Sequence, residues 1–229
     1  NPVAHSIWGN PATVLVGDFL LARSIAIAAQ TNSVPIIDIL AHTTAQMSEG
    51  EIHQMLHRGD PDVDETDYTE VIKRKTACLI QAACRVGALL AEAQGEQVQA
   101  LSDYGYHLGI AFQMADDLLD YTADSRVLGK PVGTDLREGK LTLPVIYALN
   151  RATTEDRSRL ETIIGDVDIT GSDFETVLGL IKKYGGIQYT RERAREHIKH
   201  AKKSLGIFTT SKSRTLLRQI ADYVLIRDM

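Results

Sequence analysis

The chain has 229 residues, 44% of them hydrophobic, and a formal net charge of −5. That is enough apolar material for one large core, so a single domain is expected over 1–229, and an acidic balance with no Lys/Arg cluster argues against nucleic acid as a partner. No apolar run reads as long enough to span a bilayer and nothing reads as a signal peptide; Cys78 and Cys84 have no Cys or His at metal-ligand spacing, so they read as reduced thiols of a cytoplasmic protein.

Alternation of period two is absent, whereas helical periodicity recurs almost everywhere. The spacing predicts helices over about 12–30, 35–57, 67–93, 96–122, 140–151, 154–165, 172–184, 186–205 and 211–227. On the first, Asp18 projects among Val14, Leu15, Leu21, Ala22 and Ile25, which calls for a structural partner such as an arginine from another helix. On the second, Glu51 and Gln54 stand three apart and form a small polar patch. Asp60-Pro-Asp62-Val-Asp64 imitates the start of a calcium loop. Its sixth position is Glu65 rather than Gly and its twelfth is Val71 rather than Glu, so an exposed turn into the next helix is expected instead. Asp67 and, later, Thr154 are plausible N-caps.

On the third helix, Lys75 shares a face with Val71, Ile72, Cys78, Leu79, Ala82 and Val86, and Thr76 lies at its edge. Either the lysine snorkels out of the core or a bound anion compensates it. The fourth helix carries the clearest anomaly. At about 100° per residue, Gly109, Gln113, Asp116, Asp117 and Asp120 fall on one arc, while Leu108, Ile110, Ala111, Phe112, Met114, Ala115, Leu118 and Leu119 fill the rest. A helix so widely apolar is expected to be buried. Ionised carboxylates there cost several kcal/mol each without a compensating cation. Three Asp with no His or Cys nearby form a hard-oxygen set suited to Mg²⁺; the alternative is an acidic helix end facing water. The longest irregular stretch, Thr122 to Gly139, follows this helix, and Lys130 and Lys140 flank its end. Gly185-Gly186 and Gly206 read as helix stops, and the mixed charge of the last three helices reads as solvated surface. Carboxylates and lysines on apolar faces of separate helices point to a helical bundle with an internal polar pocket.

Phe112-Gln-Met-Ala-Asp-Asp-Leu-Leu-Asp-Tyr121, followed by Leu128-Gly-Lys-Pro-Val-Gly-Thr-Asp135-Leu-Arg-Glu-Gly-Lys140-Leu-Thr-Leu-Pro144, resembles the second aspartate-rich region of trans-polyprenyl diphosphate synthases. His5-Ser-Ile-Trp-Gly-Asn10, Val14 to Arg23, Ser48-Glu-Gly-Glu51 with Gln54, and Lys75-Thr76-Ala77 fit the same family, so the resemblance covers the chain, and the long-chain, octaprenyl-type branch is nearest in texture. The resemblance implies an all-α isoprenoid synthase-type bundle around a central hydrophobic cavity, and a homodimer. It implies that Asp116, Asp117 and Asp120 face Mg²⁺, for which Mn²⁺ can substitute. Lys75, Thr76, Gln113, Lys130 and Lys140 would contact the allylic diphosphate or its metals, Glu51 and Gln54 would join the substrate site, and Asp135 would support it. The reaction implied is head-to-tail elongation of an allylic diphosphate by isopentenyl diphosphate. The family's first motif, Asp-Asp-x-x-Asp, is expected immediately before Asn1. Without it and its helices, a chain beginning at Asn1 is expected to turn over little or nothing.

Three other readings compete. A short-chain synthase or a class I terpene cyclase would use the same metals and leaving group, although the Gly-Lys-Pro and Glu-Gly-Lys pattern favours a synthase. A non-catalytic subunit of a heteromeric synthase has no need of three costly carboxylates. A plain α-helical interaction module would bind no diphosphate.

Overall fold

The computed structural model describes residues 3–122, 133–166 and 168–226, and among these it is helical with no strand. Two compact units divide at residue 45, and each is taken by itself.

The first unit holds α1 (Ala4–Ala29) and the start of α2 (Val34–Leu56). α1 begins earlier than its periodicity predicts, because a kink at Gly9 (φ 76°) ahead of Pro11 joins two helical pieces. Trp8, Val14, Leu15, Val16, Phe19 and Leu20 are all more than half exposed. Asp18 is exposed as well, so water solvates its carboxylate and no buried partner is required. One correction follows. An 18-residue window of α1 has a mean hydropathy of 1.7 and admits few charges, so by length and composition α1 could cross a bilayer.

The second unit is built around α5 (Gly95–Thr122). On one side α5 packs against α4 (Cys78–Leu90) and the turn that precedes it; on the other it packs against α10 (Gly186–Ser204). Ile110, Ala111, Met114, Ala115 and Leu118 are buried here. Each large apolar side chain so buried contributes about 1.5–3 kcal/mol. The predicted helix 67–93 is not continuous. α3 (Glu65–Ile72) passes into a π-helical turn, Lys73–Ala77, before α4 begins. A π turn holds one extra residue and rotates everything after it, which is why Leu79 is exposed rather than facing the core with Val71 and Ile72.

Asp64, not Asp67, caps α3. Its carboxylate accepts from Thr66 N and Asp67 N, and Asp67 returns the bond to Asp64 N. Asp60 accepts from Asp62 N, so the aspartate run is the expected turn into a helix. Thr153 caps α8 (Thr154–Ile164), one residue before the expected Thr154. α6 (Thr134–Arg137) and α7 (Leu143–Arg151) bracket Lys140; α9 (Gly171–Tyr184) ends on the left-handed Gly185, as expected, and α11 (Lys212–Ile226) follows. Cys78 and Cys84 are free thiols, and burial raises both pKa values.

Candidate active site

The final turns of α5 carry the acidic stripe to a point where other helices meet it. Asp117 is fully buried. Its Oδ1 accepts from Lys140 Nζ at 2.8 Å and Gln113 Nε2 at 2.9 Å, and its Oδ2 accepts from the Tyr68 hydroxyl at 2.7 Å. Lys140 also donates to Asp135 Oδ2 at 3.1 Å. Burial pulls this lysine's pKa down, but the two carboxylates outweigh it and hold the ammonium well above the ordinary lysine range. For Asp135 burial dominates and raises the carboxyl, with Lys140 pulling back. Burial, then the charge of Asp117, keeps Tyr68 protonated as a donor.

Asp120, also buried, does different work. Its Oδ1 accepts from Thr134 N at 3.2 Å and its Oδ2 from Asp135 N at 3.0 Å, while its carbonyl accepts from Gly133 N at 3.0 Å. The carboxylate thus ties the start of α6 to the end of α5. Asp116 is exposed. Among the described residues, the three aspartates do not bring their carboxylates together as one ligand group.

The π turn supplies the other edge. Lys75 Nζ meets Glu51 Oε1 at 2.9 Å and Gln54 Oε1 at 3.0 Å, with about a third of the lysine side chain exposed. The Thr76 hydroxyl donates to Gln113 Oε1 at 2.8 Å. Two glycines allow this approach. A Cβ on Gly50 of α2 would stand 2.7 Å from Lys75 N, and one on Gly109 of α5 would stand 2.6 Å from Ala77 Cα. Lys75 therefore does not project from the core. It sits at the rim of the bundle, paired to α2.

A single hydrogen-bonded chain runs Thr76–Gln113–Asp117–Lys140–Asp135, and a second group joins Lys75, Glu51 and Gln54. Gln54 and Lys140 line one cleft of about 30 Å³ together with Tyr68. Of the expected site residues, Lys130 lies outside the described residues. Tyr68 was missed. Its sequence signal is only an aromatic on the inward face of α3, three residues before Val71.

The polyprenyl synthetase family model matches residues 1–181. The short chain isoprenyl diphosphate synthase of Methanothermobacter thermautotrophicus is 37% identical over 231 residues, spanning 99% of this chain and 70% of that protein. The octaprenyl diphosphate synthase of Escherichia coli K12 is 37% identical over 226 residues, spanning 98% of this chain and 69% of that protein. The crystal structure of a decaprenyl diphosphate synthase from Rhodobacter capsulatus matches with a TM-score of 0.94 and 40% identity, over 100% of this chain and 70% of that one. A polyprenyl synthase from Caulobacter crescentus, solved in complex with calcium and isoprenyl diphosphate, matches at 0.93 with 38% identity, over 99% of this chain and 69% of that one. A family match over most of the chain, a fold shared along its whole length and a lysine–aspartate network at the end of α5 together place this chain in the polyprenyl synthetase family of prenyltransferases.

Proposed function

We propose that the chain forms the second-aspartate-motif side of a trans-polyprenyl diphosphate synthase that elongates an allylic diphosphate with isopentenyl diphosphate to a long-chain product. The observation that carries this reading is the ion pair of fully buried Asp117 with nearly enclosed Lys140, joined through Gln113 to the π turn. Burying such a pair is costly for a purely structural purpose. Lys75, Thr76, Gln113 and Lys140 would hold the departing diphosphate, with Lys130 beside them, and Glu51 and Gln54 would orient Lys75.

The residues at the end of α5 suit a divalent cation. Among the described residues, Asp116, Asp117, Asp120 and Asp135 set four carboxylates at this end of α5, where the Lys140 ammonium pairs with two of them. That excess of negative charge repels a diphosphate unless a hard divalent ion offsets it. Asp116, Asp117 and Asp120 would hold Mg²⁺, or Mn²⁺ in its place, which when bound neutralises the leaving diphosphate. The Caulobacter crescentus relative with calcium and isoprenyl diphosphate supports a hard-ion reading. The lysines stabilise negative charge as the allylic C–O bond breaks. The isopentenyl double bond then attacks the allylic carbon, and a proton leaves to the released diphosphate. Apolar helix faces shield the cation from water.

We further read the protein as a cytoplasmic homodimer. The exposed apolar side chains of α1 suit a protein-covered surface better than open water, and Asp18, Arg23 and the Gly9 kink make α1 a poor membrane span. The reading is tested by Asp116→Ala in the full-length enzyme, in which the other turnover predictions are also measured. Turnover of labelled isopentenyl diphosphate is expected to fall on the order of a hundredfold or more, with the thermal unfolding midpoint retained because Asp116 is exposed. Wild-type turnover in that variant would overturn the assignment, and the length of the labelled product separates long-chain from short-chain synthesis.

A further inference from the structure

Away from the aspartates, one group of side chains converges without a role in the chemistry above. His53 on the last turn of α2 and His57 just past its end lie four apart, and their rings meet edge to face at 4.5 Å. Asp67, in the first turn of α3, faces them. One ligand atom from each of the three residues lies within 4.8 Å of the others. We propose that His53, His57 and Asp67 form a binding site for a borderline divalent transition ion, represented by Zn²⁺, separate from the hard-ion aspartates of α5.

Several features fit this assignment. His57 Nδ1 lies 2.8 Å from the carbonyl of His53. A carbonyl only accepts, so the proton is on Nδ1 and the lone pair is on Nε2, the arrangement metal-bound histidines use. His53 Nδ1 is buried with no hydrogen-bond partner among the described residues, so no contact at that atom fixes the tautomer and either nitrogen can present the lone pair. Asp67 is oriented from behind, since its Oδ2 accepts from Asp64 N at 3.3 Å while Asp64 returns the capping bond. No hydrogen bond or ion pair joins Asp67 to either imidazole among the described residues, so a direct contact does not explain why the three converge.

The donor set points to the class of ion. Two imidazoles and one carboxylate suit zinc and its neighbours, not Mg²⁺ or Ca²⁺, which take oxygen shells. Ligand atoms bonded at about 2.0–2.2 Å around a tetrahedral ion stand about 3.3 Å apart, so small side-chain rotations would close the group. Three protein ligands leave one position open. His57 and Asp67 line the same cleft of about 30 Å³ as Gln54 and Lys140, and that is room for at least one water. The open position would therefore face the cleft beside Lys140.

The test is a titration of the purified, chelator-stripped protein with Zn²⁺ against a chromophoric chelator, without Mg²⁺ or diphosphate. Co²⁺ substitution then reports coordination by its visible spectrum. One equivalent is expected to bind. Binding should weaken at least tenfold in His57→Ala and in Asp67→Asn and be unchanged in His107→Ala, with far-UV circular dichroism confirming that each variant folds. Absence of saturable binding, or equal affinity in wild type, His57→Ala and Asp67→Asn, overturns the proposal. Because no prenyl substrate is present, failure here leaves the reading of prenyl transfer untouched.

Discussion

Helix α5 meets two groups of ionisable side chains and treats them in opposite ways. Near its end, buried Asp117 accepts from the Lys140 ammonium, Tyr68 and Gln113, and the ammonium is held well above the ordinary lysine range. Ten residues earlier, His107 Nδ1 lies 3.0 Å from His197 Nδ1, and His107 stacks on His200 at 5.0 Å. Two imidazoles at that distance share one proton between their facing nitrogens, so one must donate and the other accept. Burial, then the neighbouring histidine, holds His197 down to about 4, and burial also lowers His107. A buried group keeps its charge where an opposite charge meets it and loses it where only its own kind is present. The site end of α5 is where a cation, Lys140, is held among carboxylates, and that is the end to which chemistry is assigned.

Lys140→Ala breaks the comparison at its strongest point. Among the described residues, it leaves Asp117 fully buried with only neutral donors and Asp135 with no ion-pair partner. Removing one partner of a buried pair costs about 3–5 kcal/mol, so denaturant unfolding should show a loss of that size together with the loss of turnover. A stability loss near zero would mean that Asp117 takes up a proton or water at little cost, and that the buried pair is not the centre of the site.

Gly109→Ala sharpens the comparison between the two clusters, because Gly109 lies on α5 between His107 and Asp117. The added Cβ meets Ala77, the last residue of the π turn that carries Lys75 and Thr76. Overpacking of this kind costs about 1–3 kcal/mol. Turnover should fall along with stability, because relief of the clash moves Thr76 away from Gln113. Stability lost with turnover kept would uncouple the π turn from the site.

Acid tests the neutral cluster through His197. The unfolded chain protonates His197 near its ordinary 6.5, but the folded protein does so only near about 4. Between those values the unfolded state binds more protons, so this contribution to stability is full above pH 6.5 and is lost as the pH falls toward 4. Allowing for partial solvent access, the loss amounts to about 1–2 kcal/mol. It should be read as a pH slope in denaturant midpoints that His197→Gln flattens.

The helices were legible because their apolar spacing is strong, and most of their limits fall within a few residues of expectation. Asp116, Asp117 and Asp120 stood out because carboxylates on a greasy helix are expensive. What the spacing could not reveal was division of labour. Asp117 pairs with Lys140, Asp120 ties down α6, and Asp116 faces solvent, although all three share one arc. The π turn was invisible because a uniform 100° step cannot register one added residue, and the same step misplaced Lys75 among core positions. Tyr68 and the His53–His57–Asp67 group were illegible for another reason. Their partners come from separate helices, and pairing across helices leaves no periodic trace.

The smallest effect falls at the rim and separates the two lysines that the sequence treated alike. Lys75 keeps about a third of its side chain in water and Glu51 more than half, whereas Lys140 is nearly enclosed. An exposed pair of this kind contributes no more than about 1 kcal/mol, so Lys75→Ala should barely move the unfolding midpoint while lowering turnover at least tenfold. Glu51→Gln should do less to both, since Gln54 still accepts from the ammonium. A Lys75→Ala protein as destabilised as Lys140→Ala would show that the two lysines share one buried network, and the distinction between a paired interior and an open rim would fail.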